Sequence, residues 1–254
     1  MLCNAKINLG LNVVSRRPDG YHNLETVFYP VHHLADELYL EEADTLRLTC
    51  EGVQVEGDAD NNLVLKAYRL LHDVFPDLPP VHIHLTKHIP TGAGLGGGSS
   101  DAAFTLRLLN EHFSLGLPDT RLERLALTLG ADCPFFIRNT PVFATGVGEV
   151  FEPITLDLDR YDIRIVKPDV FISTREAFSH ITPHRPDVSL REVVTRPVEE
   201  WRGLMANDFE ASVFPSHPEI AEAKRRMYDA GAVYASMSGS GSAVYGIFAS
   251  ALPI

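Results

Sequence analysis

The most informative segment of this chain is Pro90-Thr91-Gly92-Ala93-Gly94-Leu95-Gly96-Gly97-Gly98-Ser99-Ser100-Asp101. Five glycines within seven residues do not suit the interior of a helix or strand, because glycine gains most where the backbone needs positive φ or approaches a ligand closely. An apolar-periodic segment follows, which predicts a helix from about Ser99 to His112. The first N–H groups of a helix have no intrahelical acceptors, so this stretch predicts a phosphate-binding loop.

Three other interpretations of this segment are a P-loop, a dinucleotide-binding loop and a flexible surface loop. Each of them fits the sequence less well. A P-loop requires lysine before its serine or threonine, whereas here Gly98 meets Ser99 directly. The spacing Gly92-x-Gly94-x-x-Gly97 meets the dinucleotide fingerprint literally. That fingerprint needs a strand ending in an acidic residue about 20 residues further on, and the sequence predicts a second helix there. A surface loop does not explain why an amphipathic strand leads in and a helix leads out.

Composition limits the classes of function. The chain has 254 residues and a formal net charge of −12, so no basic face for nucleic acid is expected, and Lys224-Arg225-Arg226 fits the solvated face of a helix. Cys3, Cys50 and Cys133 are too few and too far apart for a disulfide framework or zinc motif. No leader and no membrane-spanning apolar run is present, so we expect a cytoplasmic protein with no membrane partner.

Strand and helix patterns alternate unevenly along the chain, which predicts an α+β fold. Residues 5–13 alternate apolar and polar, and by themselves predict a strand whose polar face, with Lys6 and Asn8, meets water. Asn62 is placed to cap a helix. His82 and His84 alternate with apolar residues in a further strand. No third ligand lies nearby in sequence, so we predict no metal site there.

Four stretches together resemble the GHMP kinases. They are the glycine loop, the pair Ala5–Leu9 and Arg17–His22, Leu129–Phe136 with its Gly-Ala-Asp-Cys-Pro core, and Ser238–Gly241. The Asp-Gly-Tyr-His and Gly-Ala-Asp-x-Pro segments are specific enough to indicate a member that acts on an alcohol carrying a cytidine diphosphate group. The resemblance spans Ala5 to about Phe248.

The resemblance implies that the chain has two lobes and binds a nucleotide. Residues 1–152 are expected to form an α+β lobe of the ribosomal protein S5 domain 2-like type, and residues 153–254 a smaller ferredoxin-like lobe. Relatives usually continue with another helix and strand beyond the position of Ile254, so we expect the second lobe to be shortened. ATP is the implied donor, with Mg²⁺ carried by the nucleotide, and the implied assembly is a monomer or weak homodimer.

The resemblance also implies roles for individual residues. Asp132 matches the catalytic aspartate, and Lys6 would pair with it and offset charge on the phosphoryl group in transfer. For the cytidine-bearing substrate, the matching positions are Asn8, Tyr21, His22, Thr174 and Phe178. For the nucleotide, they are the loop residues from Pro90 to Ser100 together with Asn62 and Lys87. Taken alone, Asp132 and Asn62 could be helix caps, Phe178 a core residue, and Lys6 and Lys87 surface lysines.

Three further hypotheses stay open at this point. The chain could be another GHMP-type kinase, acting on homoserine or mevalonate, with Tyr21, His22 and Phe178 in the core. It could be an NAD-binding oxidoreductase that uses the literal glycine fingerprint. It could also be a nucleotide-binding module without catalysis, although the pairing of Lys6 with Asp132 argues against a mere binder.

Overall fold

The computed structural model describes residues 1–54 and 59–250. Strands and helices follow one another in an uneven order, as the α+β prediction expects. The strands are β1 (Leu2–Arg16), β2 (His22–Glu42), β3 (Arg47–Gly52), β4 (Val81–Lys87), β5 (Val142–Thr145), β6 (Val150–Pro153), β7 (Tyr161–Val166), β8 (Tyr234–Met237) and β9 (Val244–Ala249). The α-helices are α1 (Leu63–Val74), α2 (Gly97–His112), α3 (Asp119–Leu129), α4 (Phe135–Arg138), α5 (Thr174–Phe178), α6 (Leu190–Val193), α7 (Phe209–Val213) and α8 (Pro218–Asp229), with 3₁₀ turns at Ala59–Asn61 and Val198–Glu200.

The chain forms two compact units that interleave in sequence. The first unit comprises Met1–Lys6, Pro30–Thr91 and Gly96–Thr140. The second comprises Ile7–Tyr29, Gly92–Leu95 and the described residues from Pro141 onward. The lobe boundary near residue 152 stays a prediction, and the prediction of a shortened second lobe falls on a segment outside the described residues.

In the first unit, β4 lies between two strands. It pairs antiparallel with the second half of β2 and parallel with β3. Val81, Ile83 and Leu85 of β4 are buried, and the residues between them point to the opposite face. Helix α1 packs on α2, which also contacts α3 and α4. The amphipathic pattern of α1 therefore supplies the apolar side that α2 covers.

In the second unit, a three-stranded antiparallel sheet has the order β7-β9-β8. Helix α8 packs on β8 and β9, and its apolar side joins a core that includes Leu11, Phe209 and Met237. The first half of β2 pairs with β5, and β5 with β6. Among the described residues, no helix is long and apolar enough to cross a membrane.

Strand β1 is buried on both faces, so the interpretation of residues 5–13 as a half-wet strand is wrong. Ile7 and Leu9 are fully buried as expected, but Lys6 and Asn8 are also only 3% exposed. The aliphatic part of Lys6 lies beneath Gly96, where a Cβ atom would come within 3.0 Å of its Cγ. A buried lysine needs a partner of opposite charge, so this burial points to a specific role for Lys6.

Several predicted element bounds also differ from the structure. The helix after the glycine loop begins at Gly97, two residues earlier than expected, because Gly96 already takes the capping position with a left-handed backbone. The sequence also has helical patterns over residues 174–181 and 190–195, but α5 ends at Phe178 and α6 ends at Val193. Both are single turns that receive their caps from serine side chains.

Candidate active site

The glycine loop takes the conformation that its composition requires. Gly94 and Gly96 have φ values of +75° and +73°, in the left-handed region where side chains with a Cβ are strained. The first intrahelical bond of α2 runs from the N–H of Ser100 to the carbonyl oxygen of Gly96. The N–H groups of Gly97, Gly98 and Ser99 therefore precede that bond and have no acceptor within the helix. Three amide donors at the positive end of a helix form a suitable cradle for a phosphate group.

The two serine hydroxyls of the loop make contacts within the protein. Ser100 is fully buried, and its Oγ donates to the carbonyl oxygen of Asn4 at 2.7 Å. The hydroxyl of Ser99 interacts with Cys133, whose thiol pKa rises to about 11 because burial outweighs that hydrogen bond. The thiol of Cys133 is therefore neutral near pH 7. Roles for both hydroxyls at the nucleotide stay predictions.

Lys6 and Asp132 meet in the first unit, as the family resemblance implies. Nζ of Lys6 lies 3.4 Å from Oδ2 of Asp132. The lysine side chain is 4% exposed, whereas the aspartate side chain is 34% exposed. β1 supplies the lysine, and the turn between α3 and α4 supplies the aspartate. The ammonium group of Lys6 is therefore buried, whereas the carboxylate of Asp132 remains accessible to a ligand.

The helix-cap interpretation of Asp132 is not what the structure shows. Helix α3 ends with Gly130 at its C-cap, and the N–H of Gly130 bonds to the carbonyl oxygen of Ala126. Pro134 occupies the N-cap position of α4, which has no side-chain capping bond. Asp132 lies in the turn between these two positions, so its carboxylate is not used to terminate either helix.

Lys87 is not a surface lysine: it is 3% exposed and lies between two buried carboxylates. Its ammonium donates to Oδ2 of Asp101 at 2.6 Å and to Oδ2 of Asp36. The other oxygen of Asp36 accepts the backbone N–H groups of His88 and Ile89. A Cβ atom at Gly97 would lie 3.3 Å from Nζ of Lys87, so this buried ion cluster sits directly under the start of α2.

The charges in this cluster shift one another's protonation. Burial lowers the pKa of the Lys87 ammonium, but the carboxylates of Asp101 and Asp36 outweigh it, and the pKa ends above the ordinary value. Burial raises the pKa of Asp101 to about 7 despite the opposing charge of Lys87. Oδ1 of Asp101 is buried with no hydrogen-bond partner among the described residues. Asp101 is thus a carboxyl group that changes charge near neutral pH.

Asn62 is the N-cap of α1, with its Oδ1 accepting the N–H of Val64 at 2.9 Å. The capping role predicted from the sequence is therefore confirmed. A contact with adenine stays a prediction for Asn62, as it does for Lys87. Pro90 and Thr91, which lead into the loop, are half-buried and exposed respectively.

The residues predicted for the cytidine-bearing substrate lie in the second unit. Tyr21 is 65% exposed. The rings of His22 and Phe178 stack on each other, with centroids 4.7 Å apart and planes at 18°. Phe178 also packs on the apolar core around Phe209. Thr174 begins α5 and is exposed. The structure therefore brings His22 and Phe178 together directly.

Asn8 is held by several hydrogen bonds. Its backbone N–H donates to Oγ of Ser238 at 3.2 Å, and its backbone oxygen accepts the hydroxyl of Tyr245. Its side-chain amide donates to Oγ1 of Thr26, which itself donates to the carbonyl oxygen of Gly10. The position of this asparagine is therefore defined within the second unit. Its predicted role in orienting the acceptor stays a prediction.

Sequence reasoning missed Asp36 and Asp101. A signal for Asp36 was present, because the alternation of β2 places this carboxylate on the same side as Leu34 and Leu38, among apolar residues. Asp101 follows the glycine loop directly and was not assigned a role. Phe171 was also missed. It is 70% exposed, and a Cβ atom at Gly92 would come within 2.8 Å of its ring.

The dinucleotide interpretation of the loop fails on topology. It requires a strand after the first helix, within a strand–helix–strand unit. In the structure α2 is followed by α3 and α4, and the next strand, β5, begins only at Val142. The loop therefore does not belong to a nucleotide fold of that type.

Comparison with known proteins assigns the chain to a family. The family model described as the GHMP kinases N terminal domain matches residues 62–140, and the one described as GHMP kinases C terminal matches residues 189–252. The first match contains the glycine loop and Asp132, and the second contains Ser238–Gly241. Three of the four stretches on which the resemblance was based therefore lie within the matched residues.

Full-length relatives narrow the assignment. The 4-diphosphocytidyl-2-C-methyl-D-erythritol kinase of Bacteroides thetaiotaomicron is 61% identical over 96% of this chain and 90% of its own length. That of Bacteroides fragilis is 57% identical with the same coverage. A crystal structure of 4-(cytidine 5'-diphospho)-2C-methyl-D-erythritol kinase superposes with a TM-score of 0.83 at 36% identity, over 97% of this chain and 89% of that one. Together with the two domain matches, this similarity shows that the chain belongs to the 4-diphosphocytidyl-2-C-methyl-D-erythritol kinase family of the GHMP kinases.

Proposed function

We propose that this chain transfers the γ-phosphoryl group of ATP to the 2-hydroxyl of 4-diphosphocytidyl-2-C-methyl-D-erythritol, a step in non-mevalonate isoprenoid precursor biosynthesis. Family membership makes the chain an ATP-dependent small-molecule kinase. The observation that carries the proposed chemistry is the 3.4 Å contact between Lys6 and Asp132. The contact joins a buried cation to a carboxylate that a ligand can reach.

Asp132 is the proposed base for the acceptor hydroxyl. Phosphoryl transfer depends mostly on positioning and charge, and a carboxylate within hydrogen-bond reach can take the proton that the alcohol loses. Lys6 is proposed to hold Asp132 in place and to stabilise negative charge on the phosphoryl group during transfer. Because Lys6 is buried, its ammonium has little rotational freedom, which favours such a fixed electrostatic role.

MgATP is the proposed co-substrate. The amide groups of Gly97, Gly98 and Ser99 supply donors for its phosphates, in addition to the positive end of α2. Mg²⁺, carried with the nucleotide, would neutralise part of the phosphate charge. These local donors are needed because the chain as a whole carries a net charge of −12.

For the cytidine diphosphate group, we propose Tyr21 and Phe178 as aromatic contacts and His22 as a hydrogen-bonding group, with Thr174 as a polar neighbour. Tyr21 leaves most of its ring exposed, which suits stacking on a pyrimidine. His22 already stacks on Phe178, so the base would contact this pair at its edge or displace one ring. We further propose a cytoplasmic location, a monomer or weak homodimer, and lobes that divide near residue 152.

A comparison of ADP release between acceptor alcohols tests the proposed substrate. Purified protein receives MgATP together with 4-diphosphocytidyl-2-C-methyl-D-erythritol, homoserine, mevalonate or galactose in separate reactions. We expect the cytidine-bearing alcohol to give the highest kcat/KM. The Asp132→Asn variant, assayed in parallel, reports any contaminating kinase. Faster turnover with one of the other three alcohols would overturn the substrate assignment while leaving the kinase assignment intact.

A further inference from the structure

A cluster of possible metal ligands lies on the outer face of the sheet in the first unit. His82 and His84 are two residues apart on β4, so their side chains point to the same face. In the antiparallel pairing of β2 with β4, Glu41 lies opposite His82. The third ligand that the sequence did not offer near the two histidines is thus supplied by the neighbouring strand, 41 residues earlier in the chain.

Two of the three distances between ligand atoms in this cluster match those of a coordination sphere. Oε1 of Glu41 lies 3.4 Å from Nδ1 of His82 and 3.3 Å from Nε2 of His84. One ligand atom from each of the three residues lies within 4.8 Å of the other two. Ligands held about 2.0–2.1 Å from a tetrahedral Zn²⁺ ion lie roughly 3.3–3.4 Å from one another. The two contacts of Glu41 therefore have the spacing of a tetrahedral site, and the two histidine nitrogens lie within 4.8 Å of each other.

Surrounding contacts orient both rings. Nε2 of His82 lies 2.8 Å from the hydroxyl of Thr49 on β3. If that nitrogen donates its proton to the hydroxyl, Nδ1 presents its lone pair toward Glu41, which is the usual arrangement behind a metal-bound histidine. The ring of His84 stacks on Tyr39, with centroids 4.3 Å apart and planes at 3°. Both histidine side chains are about four-fifths buried, so few alternative rotamers are open to them.

We propose that Glu41, His82 and His84 bind a divalent transition-metal ion of the Zn²⁺ class, with a fourth coordination position left to water. Two imidazoles and one carboxylate suit Zn²⁺ and its neighbours better than Mg²⁺ or Ca²⁺, which prefer oxygen ligands. Arg47 lies in register with His82 on β3, and its positive charge opposes a bound cation. Micromolar rather than nanomolar affinity is therefore expected. The site is independent of the proposed phosphoryl transfer.

Metal titration of the tag-free, chelator-treated protein tests the site. We expect one equivalent of Zn²⁺ to bind by isothermal titration calorimetry and to raise the melting temperature. Co²⁺ in its place should give the intense visible absorption of a four-coordinate ion. Glu41→Gln and His84→Gln should each weaken binding at least tenfold, and Thr49→Val, which removes only the hydroxyl behind His82, should weaken it about tenfold.

The double variant His72→Gln/His180→Gln is the matched control, because it removes two exposed histidines away from the cluster. It should bind Zn²⁺ as the wild type does. Circular dichroism of each variant without metal establishes that the fold is retained. Equal Zn²⁺ affinity in wild type, Glu41→Gln and His84→Gln would overturn the proposal and leave the cluster as a pair of histidine–glutamate ion contacts. So would a loss of binding confined to the control variant.

Discussion

The main chain of Ser238 occupies the space in which a side chain on Gly94 would begin. A Cβ atom at Gly94 would lie 2.0 Å from the carbonyl oxygen of Ser238. The hydroxyl of Ser238 also donates to the carbonyl oxygen of Gly94 at 2.9 Å. The backbone N–H of Asn8 donates to the same hydroxyl. Two glycine–serine segments that are 144 residues apart in sequence are therefore in contact, and glycine is required at this position for steric reasons as well as for its φ.

Gly94→Ala should destabilise the protein and weaken ATP binding. The left-handed backbone costs roughly 1–2 kcal/mol for a residue with a Cβ, and the contact with backbone atoms of Ser238 adds a similar amount. We expect a loss of about 3 kcal/mol in the free energy of unfolding, measured by urea denaturation. Gly116→Ala is the control, because Gly116 has φ of +71° with nothing within 4 Å of its Cβ position. Equal losses in the two variants would show that the Ser238 contact is unimportant.

Asp132→Asn should abolish most turnover without harming the fold. The amide keeps the shape of the side chain but can no longer accept a proton from the acceptor alcohol. Loss of a general base typically lowers kcat by roughly 10²–10⁴. ATP affinity, measured by calorimetry, should stay near the wild-type value, as should the melting temperature. Asp73→Asn, an exposed aspartate in α1, controls for the change in net charge. If Asp132→Asn keeps wild-type kcat, Asp132 is not the base.

Tyr21→Ala should separate binding of the cytidine group from stability. Tyr21 is 65% exposed, so its truncation should change the free energy of unfolding by less than about 0.5 kcal/mol. Stacking of an aromatic ring on a base is worth about 1–3 kcal/mol, so KM for the cytidine-bearing alcohol should rise roughly tenfold or more. KM for ATP should not change. Tyr39→Ala, an exposed tyrosine of the first unit, is the control. A drop in stability with an unchanged KM would instead place Tyr21 in a structural role.

Asp101→Asn should flatten the dependence of stability on pH. The pKa of Asp101 is raised from 3.8 to about 7 in the folded protein, so its contribution to stability is complete below about pH 3.8 and is lost as the pH rises through about 7. This single proton accounts for at most about 1.4 kcal/mol per pH unit in that window. The asparagine stays neutral and can still accept a hydrogen bond from Lys87.

Urea denaturation of wild type and Asp101→Asn at several pH values between about 5 and 8 measures this difference. We expect the wild type to lose stability more steeply with rising pH than the variant does. Asp73→Asn removes an exposed carboxylate and should keep the wild-type slope. Identical slopes in wild type and Asp101→Asn would mean that Asp101 is already charged at pH 5.

Local patterns predicted much of the fold correctly. The glycine loop and the helix after it, the cap at Asn62 and the alternation of β4 all appear in the structure, since each depends on neighbouring residues or on a fixed period. The strand β1 was placed correctly, but its second buried face was not expected. An alternation with a period of two shows only that one face of a strand is apolar and the other polar. It does not show whether the polar face is buried or exposed to water.

The pairing of Lys6 with Asp132 was reached through resemblance to a family rather than through spacing. The two residues are 126 positions apart, and no local rule brings them together. The ion cluster around Lys87 was missed for the same reason, as its three members come from β2, β4 and α2. Helix bounds were off by two residues at Gly97, where a left-handed glycine rather than a side chain provides the cap.

Local sequence patterns are enough to show where the backbone must be glycine, where a helix starts to offer amide donors, and which segments alternate as strands. These properties follow from steric limits and hydrogen bonding within a few residues. Packing of distant segments, which local patterns do not reveal, buries Lys6 against Asp132, raises the pKa of Asp101 to about 7, and brings Glu41 to His82 and His84. Desolvation and coulombic interaction depend on distance in space and not on distance along the chain. Packing and strand register therefore determine which charged side chains interact.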